Sequence, residues 1–291
     1  MPNRKKKGRQ SPAPAPSPFA GVLTRVDATA ADGSSHESVP SGFPSVDRLL
    51  GGGFRRGDLV VLGGDVGAGK SALALAAAVR ASEEGRSVVF YAGETSADRV
   101  AERVLAIEGR ARVDDLRRGT LDDTTRASIG AVALRLRDAP LRIERLPAGV
   151  DELAADVGTR QETDLAIVDP LQMLASNGPI QDEALASAVR QLKRLAVDAG
   201  VAILVTAHLP HLVERADRRP RLDDFGALGA VKQHADVVLG LFREGMYDAA
   251  RLLEGATELH VLKNRSGATA YADLYFYAQW MRFEDLVEPD R

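Results

Sequence analysis

Short apolar runs alternate with longer segments of helical character between residues 42 and 242. The helical segments include the alanine- and leucine-rich stretch 71–81 and the stretch 121–137, which Thr120 and Asp123 are expected to open as a capping box. This alternation predicts right-handed βαβ units and a mainly parallel sheet with helices on both faces, which is an α/β fold. The predicted strands are DLVVLG (58–63), SVVFYAG (87–93), LRIERL (141–146), DLAIVD (164–169), AILVTA (202–207) and DVVLGLF (236–242).

Two further β-rich stretches follow the parallel units, ELHVLKN at 258–264 and ATAYADLYFYAQWMRFE at 268–284. Apolar and polar residues alternate in the second stretch, which predicts a half-exposed antiparallel hairpin at the edge of the sheet. Its aromatic side chains are expected to pack within the hairpin rather than to stack on nucleic-acid bases. These aromatic residues are Tyr271, Tyr275, Phe276, Tyr277 and Trp280.

The first 40 residues combine a basic cluster, RKKKGR, with a Pro-Ala-Ser stretch and the polar segment ATAADGSSHES, none of which can bury a core. We therefore expect a disordered tail at 1–40, a folded domain at 41–286 and a short C-terminal tail at 287–291. The chain carries a net charge of −3, but residues 1–26 hold six Lys or Arg and no acid, so the remainder carries −9. The basic cluster can attach to phosphate backbones or serve as a solvated tail, and both interpretations stay open.

Length and composition narrow the class of protein. A chain of 291 residues, of which 45% are hydrophobic, suits one α/β domain with appendages. There is no cysteine, which excludes disulfides and zinc–thiolate sites and favours a reducing compartment. No run of about 18 apolar residues occurs, and the N-terminus lacks the apolar core of a signal peptide, so we expect a soluble, cytoplasmic protein without membrane contact.

A glycine-rich loop follows the first predicted parallel strand. Gly64, four residues, and then Gly69, Lys70 and Ser71 match G-x-x-x-x-G-K-[ST], a phosphate-binding P-loop. Its backbone N–H groups are expected to surround a nucleotide phosphate, with Lys70 on the β- and γ-phosphates and the Ser71 hydroxyl on Mg²⁺. A dinucleotide-binding fingerprint also matches but leaves Lys70 and Ser71 without a role. The predicted nucleotide-binding residues are Gly64, Asp65, Val66, Gly67, Ala68, Gly69, Lys70, Ser71 and Ala72.

Two carboxylates follow other predicted strands at the same edge of the sheet. Asp169 ends DLAIVD, where an acidic residue can ligate the nucleotide's Mg²⁺, and Glu94 follows SVVFYAG, where a carboxylate can deprotonate an attacking water. Alone, Asp169 could cap a turn and Glu94 could begin a helix. Together with Lys70 they form a phosphate cradle, a metal ligand and a general base, and this set predicts ATP hydrolysis.

From SGFPSVDRLLGGGFRRGDLVVLGG to KNRSGATAYADLYF, residues 41–284, the chain resembles the C-terminal, RecA-fold ATPase domain of DnaB-type replicative helicases. The resemblance includes GETSADRVAERVLAIEG, LAIVDPLQML and RADRRPRLDDFGALGAVKQHADVVL. It implies a RecA-like P-loop fold with a C-terminal antiparallel extension, the cofactors ATP and Mg²⁺, and a homo-oligomer, in this family a hexameric ring with ATP at the subunit interfaces. It also implies that Lys263 and Arg265 reach the neighbouring subunit's ATP.

The chain departs from this family at two places. His208 stands where the family has a glutamine that senses the γ-phosphate, and imidazole can donate the same hydrogen bond. The loop DFGALG, 224–229, lacks the Arg and Glu of the family's DNA-contacting loop, which leaves its backbone amides and the upstream Arg215, Arg218, Arg219 and Arg221 as possible phosphate contacts.

These observations favour a Mg²⁺-dependent ATPase that acts on single-stranded DNA in replication or a related DNA transaction. The alternative is an ATPase that regulates assembly or partner choice without unwinding, since the P-loop region and YAGETS also resemble RadA-like and KaiC-like proteins. The altered loop 224–229 favours that alternative, as does the expectation that residues 1–40 hold no counterpart of the family's N-terminal helical domain and linker helix. A small-molecule kinase fits less well, because Glu94 is placed for water and no acceptor pocket is evident.

Overall fold

A computed structural model describes residues 18–32, 37–159, 162–175, 181–209, 218–247 and 254–286. The chain divides into two units, Met1–His36 and Glu37–Arg291. The described residues of the first unit form a helix, α1, at Pro18–Asp32, although the sequence predicts disorder there. Its apolar residues recur at helical spacing, with Phe19, Val22, Leu23 and Val26 all exposed, and a proline suits the first position of a helix. The basic cluster and the C-terminal tail 287–291 lie outside the described residues.

Within its described residues, the second unit contains eleven strands and eight α-helices. The strands are β1 (Ser38–Val39), β2 (Phe54–Arg55), β3 (Leu59–Gly64), β4 (Val88–Ala92), β5 (Leu141–Arg145), β6 (Leu165–Asp169), β7 (Ala202–His208), β8 (Val237–Phe242), β9 (Ala256–Asn264), β10 (Tyr271–Tyr277) and β11 (Arg282–Asp285). The helices are α2 (Pro44–Leu50), α3 (Lys70–Glu83), α4 (Ala97–Glu108), α5 (Val113–Arg118), α6 (Asp123–Leu136), α7 (Val150–Gly158), α8 (Gln181–Ala199) and α9 (Ala230–His234). Because β1 pairs with β2, the folded unit begins before residue 41.

Nine of these strands form one sheet in the order β11-β10-β9-β8-β3-β7-β6-β4-β5. The six strands from β8 to β5 are parallel, and β9, β10 and β11 extend the sheet antiparallel. The predicted α/β fold with an antiparallel C-terminal extension is confirmed, and each predicted parallel strand agrees with the structure to within one residue at either end. The carboxyl ends of β3, β4, β6 and β7 therefore lie at the same edge of the sheet, where ligands of open α/β sheets bind.

The helices cover both faces of the sheet. In β3, Leu62 packs in the core on the side of α3 and α4, and Val61 packs in the core on the side of α7 and α8. This double burial explains why the parallel strands are continuous apolar runs. Helix α6 begins with Asp122 as its N-cap, whose carboxylate accepts the N–H of Thr125 at 2.8 Å, so the expected Thr120 capping box is wrong. An acidic oxygen reaches the third N–H as a hydroxyl would.

The hairpin of β10 and β11 separates its aromatic side chains between two faces. Phe276 and Phe283 contact each other at 4.6 Å between ring centroids and are buried against the core on the α3 side. On the other face, Tyr277 lies 4.6 Å from Tyr275 and 5.4 Å from Trp280. Four of the five predicted aromatic residues thus pack within the hairpin, whereas Tyr271 is exposed and stacks on His260 of β9. Among the helices of the described ranges, none has both the length and the apolar character needed to cross a membrane.

Candidate functional site

The turn between β3 and α3 has the backbone of a phosphate-binding loop. Gly67 and Gly69 adopt φ values of +82° and +102°, which side-chain-bearing residues rarely adopt. A Cβ atom at Gly69 would lie 2.8 Å from Cζ of Phe283, so the loop passes too close to the β10–β11 hairpin for any other residue. The loop ends directly at the first turn of α3, where free N–H groups and the helix dipole favour an anion.

Lys70 lies at the start of α3 with its side chain folded back on the loop. Its Nζ donates hydrogen bonds to the carbonyl oxygens of Gly64, at 3.1 Å, and Asp65, at 2.9 Å, and the residue is only 5% exposed. Burial lowers the pKa of Lys70, while the negative charges of Asp169, Asp65 and Glu94 oppose the shift. A buried ammonium group whose hydrogen-bond partners are neutral carbonyls favours an anionic ligand beside it.

Asp169, at the end of β6, receives two hydroxyl groups on one oxygen. The hydroxyl of Ser71 donates to Oδ1 at 3.0 Å, and that of the fully buried Thr206 donates to the same atom at 2.5 Å. Within the described residues, no group of three or more acidic or histidine side chains could hold a metal by itself. One hydroxyl and one carboxylate suit Mg²⁺ that takes its remaining oxygens from phosphates and water, so these residues fit the implied metal.

Glu94 and His208 face each other across the same edge. Glu94 follows β4, its side chain is 60% exposed, and its Oε1 lies 3.6 Å from Nε2 of His208 at the end of β7. The backbone of His208 is held by Gln172, which accepts its N–H at 3.3 Å and donates to its carbonyl at 3.4 Å. The separation of 3.6 Å is longer than a hydrogen bond, so both groups keep hydrogen-bonding capacity for a ligand or water in the space beside them.

A cleft of about 440 Å³ connects these groups. Lys70, Asp169, Glu94 and His208 all line it. Of the nine predicted nucleotide-binding residues, Gly64, Asp65 and Ala68 do not line the cleft, and the first two instead fix Lys70 through their carbonyl groups. The other six do line it: Val66, Gly67, Gly69, Lys70, Ser71 and Ala72. A larger cavity of about 630 Å³ between α7 and α8 contains none of the predicted residues.

Sequence reasoning missed two side chains that hold the loop from outside. Arg243, just after β8, donates from Nη1 to the carbonyl of Gly67 at 3.1 Å, and its guanidinium lies 4.1 Å above the ring of Phe276. The hydroxyl of Tyr247 donates to Oδ2 of Asp65 at 2.9 Å. Burial and this hydrogen bond raise the pKa of the Tyr247 phenol. Nothing in the local sequence around these residues indicates the loop they contact.

Two further wall residues, and the buried Thr206 that bonds to Asp169, differ in how far the sequence could have revealed them. Arg103 of α4 and Met281 in the β10–β11 turn line the cleft, but each comes from an element whose approach depends on the tertiary fold. Thr206 does leave a signal, because it is a polar residue inside the otherwise apolar central strand AILVTA. A buried hydroxyl there needs a partner, and the neighbouring strand supplies Asp169.

Lys263 and Arg265 lie away from this cleft. Lys263 is paired with Val238 at the start of β8, and the N–H of Arg265 bonds to the carbonyl of Asp236 just before that strand. Asp236 in turn donates its N–H to the carbonyl of Leu59 at the start of β3. Leu59 is five residues before Gly64, so the two ends of this strand are about 16 Å apart. The antiparallel direction of β9 therefore carries both cations to the opposite edge of the sheet from Lys70.

The segment expected to contact DNA has an unusual backbone. Residues 226–229 adopt four consecutive positive φ values between 49° and 78°, two of them at the non-glycine residues Ala227 and Leu228. Such conformations are costly for side-chain-bearing residues and concentrate at functional segments. Arg219 makes two hydrogen bonds to Glu258, at 2.7 and 2.6 Å, and Arg218 lies over the ring of Tyr247. Arg215 falls outside the described residues.

Comparison with known proteins matches residues 38–285 to the model of the DnaB-like helicase C terminal domain. The replicative DNA helicase DnaB of Leifsonia xyli subsp. xyli is 29% identical over 91% of this chain and 60% of its own length. The Geobacillus stearothermophilus DnaB helicase is 28% identical over 85% of this chain and 56% of its own length. The chain thus spans no more than about 60% of the length of these curated relatives.

Solved structures show the same architecture. The ATPase domain of G40P superposes with a TM-score of 0.83 at 23% identity and covers 92% of this chain and 98% of its own. A structure described as that of a DnaB-like replicative helicase and its interactions with primase gives the same TM-score of 0.83. It is 21% identical and covers 94% of this chain and 67% of its own. These likenesses support the fold.

Proposed function

Because the chain belongs to the family of DnaB-like helicase C-terminal domains, we propose that it hydrolyses ATP with Mg²⁺ in the cleft at the carboxyl edge of its sheet. One observation carries the proposal: Lys70, the hydrogen-bonded pair of Ser71 and Asp169, and Glu94 surround a single cleft. This set contains a phosphate cradle, a magnesium site and a base for water, and ATP hydrolysis requires all three.

Each residue has a role that follows from its position. Lys70 binds the terminal phosphates from the base of the loop, and Ser71 with Asp169 would hold the metal, which would neutralise phosphate charge. Glu94 is exposed to the cleft and accepts a proton from the attacking water. His208, beside Glu94, donates a hydrogen bond from Nε2 to the γ-phosphate. Thr206 orients Asp169 by its hydrogen bond to Oδ1.

Lys263 and Arg265 serve the ATP of another subunit in this proposal. Their location at the opposite edge of the sheet, level with the start of β3, removes them from their own cleft. A cation supplied by a neighbour stabilises charge on the transferring phosphoryl group, and it makes hydrolysis depend on assembly. We therefore propose a homo-oligomer with ATP at its interfaces, and a hexameric ring as its form.

Arg265→Ala is expected to lower the ATPase rate per subunit by about 10²-fold, because one donor to the transition-state charge is lost. The wild-type rate per subunit should rise with protein concentration as shared sites form, and the rate of the variant should stay low throughout. The measurement is phosphate release over a range of protein concentrations, with the oligomeric state followed in parallel by sedimentation.

The matched control is Arg137→Ala, which removes an exposed arginine that pairs with its neighbour Asp138 and should leave the rate unchanged. A rate per subunit that is independent of concentration and insensitive to Arg265→Ala would show a self-contained site and overturn the shared one. ATPase activity in that case would still support the cleft itself, because the cleft residues come from one chain.

We also propose that the ATPase acts on single-stranded DNA in the cytoplasm. The strained segment 226–229, with Leu228 exposed, is the described feature that supports a contact with phosphates through backbone amides. The engagement of Arg218 and Arg219 with Tyr247 and Glu258 supports a different conclusion, an ATPase that regulates assembly or partner choice, since those arginines are already occupied.

DNA binding separates these two functions. We expect single-stranded DNA to stimulate the ATPase, and its affinity to fall with salt as phosphate contacts are screened. The measurement should be repeated after deletion of residues 1–36, which removes the basic cluster but retains β1 and its pairing. Affinity and stimulation that survive the deletion support action on DNA by the folded unit. Binding that disappears with the tail, with an ATPase indifferent to DNA, favours the regulatory function.

A further inference from the structure

Asp236 is a buried carboxylate at the edge of the sheet opposite the cleft. Its side chain is 4% exposed and lies just before β8. Oδ1 forms an ion pair with Arg265, whose Nε lies 2.9 Å away. Oδ2 accepts from Nζ of Lys193 at 2.6 Å and from the N–H of Leu59 at 2.9 Å. Every bond fixes the carboxylate from a different element, so its orientation is set by the fold.

Among the described residues, Arg265 has partners on one side of its guanidinium only. The guanidinium forms an ion pair with Asp236, and Nη2 donates a hydrogen bond to the carbonyl of Gln233 at 3.3 Å, yet the side chain remains 54% exposed. The side of the guanidinium that faces Asp236 and Gln233 is therefore held in place. Its remaining N–H groups can donate to a group on another subunit. Lys263, two residues earlier, is anchored separately, since its Nζ donates to the carbonyls of Lys232 and Ala235 at 2.7 and 2.5 Å.

Lys193 supports the carboxylate from behind. It belongs to α8, which packs against the sheet, and besides Asp236 it donates to the carbonyl of Gly57 at 2.8 Å. Its charge compensates the second oxygen of Asp236, so the buried carboxylate stays balanced when Arg265 engages another subunit. Without Lys193, the carboxylate would depend on Arg265 for its counter-charge.

We propose that Asp236, backed by Lys193, is a positioning residue that holds Arg265 ready for the neighbouring subunit's ATP. This inference rests on the proposed action of Arg265 between subunits. A free arginine side chain loses several rotatable bonds when it binds, and fixing it beforehand reduces that entropic cost. Because hydrolysis requires close placement of the charge, loosening the guanidinium lowers the turnover rate more than the affinity for ATP.

The chain offers a matched control at the same edge of the sheet. Asp164, which is 9% exposed and precedes β6, accepts the N–H of Ser87 at 2.7 Å and bonds to Arg56. Like Asp236, Asp164 is a buried carboxylate just before a strand that contacts a backbone N–H and an arginine. Unlike Asp236, it contacts neither Lys263 nor Arg265. Asp164→Asn reports what the loss of such a bond does to the fold alone.

The experiment mixes two kinds of full-length subunit. Donor subunits carry Glu94→Gln, which removes the base but keeps Arg265, and acceptor subunits carry Arg265→Ala, which keeps the cleft. Each is nearly inactive alone, and mixtures should recover ATPase activity at interfaces where a donor arginine meets an acceptor cleft. Asp236→Asn is then placed in the donor or in the acceptor, and kcat and KM for ATP are measured for each mixture.

We expect Asp236→Asn in the donor to lower the recovered kcat about tenfold with KM changed less than twofold, and the same change in the acceptor to have no effect. Lys193→Met in the donor should lower kcat about threefold, which keeps the test available if Asp236→Asn does not fold. Asp164→Asn should have the same effect on kcat in the donor and in the acceptor.

Equal effects of Asp236→Asn in donor and acceptor, or no effect in the donor, would overturn the positioning role. Absence of any recovery in the unmodified mixture would instead refute the shared site, and the positioning role with it.

Discussion

Glu94→Gln is expected to lower kcat for ATP hydrolysis by about 10³-fold, which lies within the usual contribution of a general base. The side chain is 60% exposed, and the substitution preserves its shape, so the fold and the affinity for ATP should change little. The variant should therefore bind ATP and retain it. Single-turnover phosphate release measures the chemical step, and the fluorescence of a labelled ATP analogue measures binding.

Glu102→Gln is the control for this prediction. Glu102 lies on α4, the helix that follows Glu94, and pairs with Arg117 at 3.0 Å on the surface, so its loss should leave kcat within twofold. A fall of less than tenfold for Glu94→Gln would mean that another group activates water. His208, whose Nε2 is 3.6 Å from Glu94, would then be the first residue to test.

Asp169→Asn is expected to lower kcat/KM for ATP by about 10³-fold at low Mg²⁺, because the proposed metal site would lose a charged ligand and several kcal/mol of stabilisation with it. Asparagine retains an oxygen for Ser71 and Thr206, so the hydrogen bonds can persist while the charge does not. Raising the Mg²⁺ concentration should restore part of the activity. The measurement is the ATPase rate as a function of Mg²⁺ concentration for both proteins.

A variant of Thr206 tests the orientation of Asp169 separately from its charge. Thr206→Val removes the hydroxyl that bonds to Oδ1 and should lower the rate about tenfold without changing the Mg²⁺ dependence greatly. Thr163→Val is the control, since Thr163 is also buried but its hydroxyl has no partner in the described part of the chain. An unchanged Mg²⁺ requirement in Asp169→Asn would remove Asp169 from the metal site.

Much of the cleft could be predicted because its residues follow the ends of parallel strands. The runs that became β3, β4, β6 and β7 are continuous and apolar, and a sheet buried on both faces permits little else. Once these strands are parallel, their carboxyl ends share an edge, so Lys70, Glu94, Asp169 and His208 had to meet there. Local sequence and overall topology agree at this edge.

Other features depend on contacts that no local pattern encodes. Arg103, Arg243 and Met281 reach the cleft from a helix, a loop and a hairpin turn that the tertiary fold brings close. The ion pair between Asp236 and Arg265 joins residues about 30 positions apart that the antiparallel register of β8 and β9 brings together. Helix α1 differs, because its helical spacing of apolar residues is visible in the sequence. The proline-rich and polar segments on either side of it favoured a prediction of disorder instead.

The direction of β9 has a consequence for how copies of this chain can assemble. It places the cleft at one edge of the sheet and the Lys263 and Arg265 pair at the other, so each subunit has two unlike ends. Subunits that use both ends must join head to tail through heterologous contacts, which repeat by rotation and either close or continue as a helix. An open row always ends with one cleft that receives no arginine and one arginine that meets no cleft. Closure is the arrangement in which every subunit is both donor and acceptor.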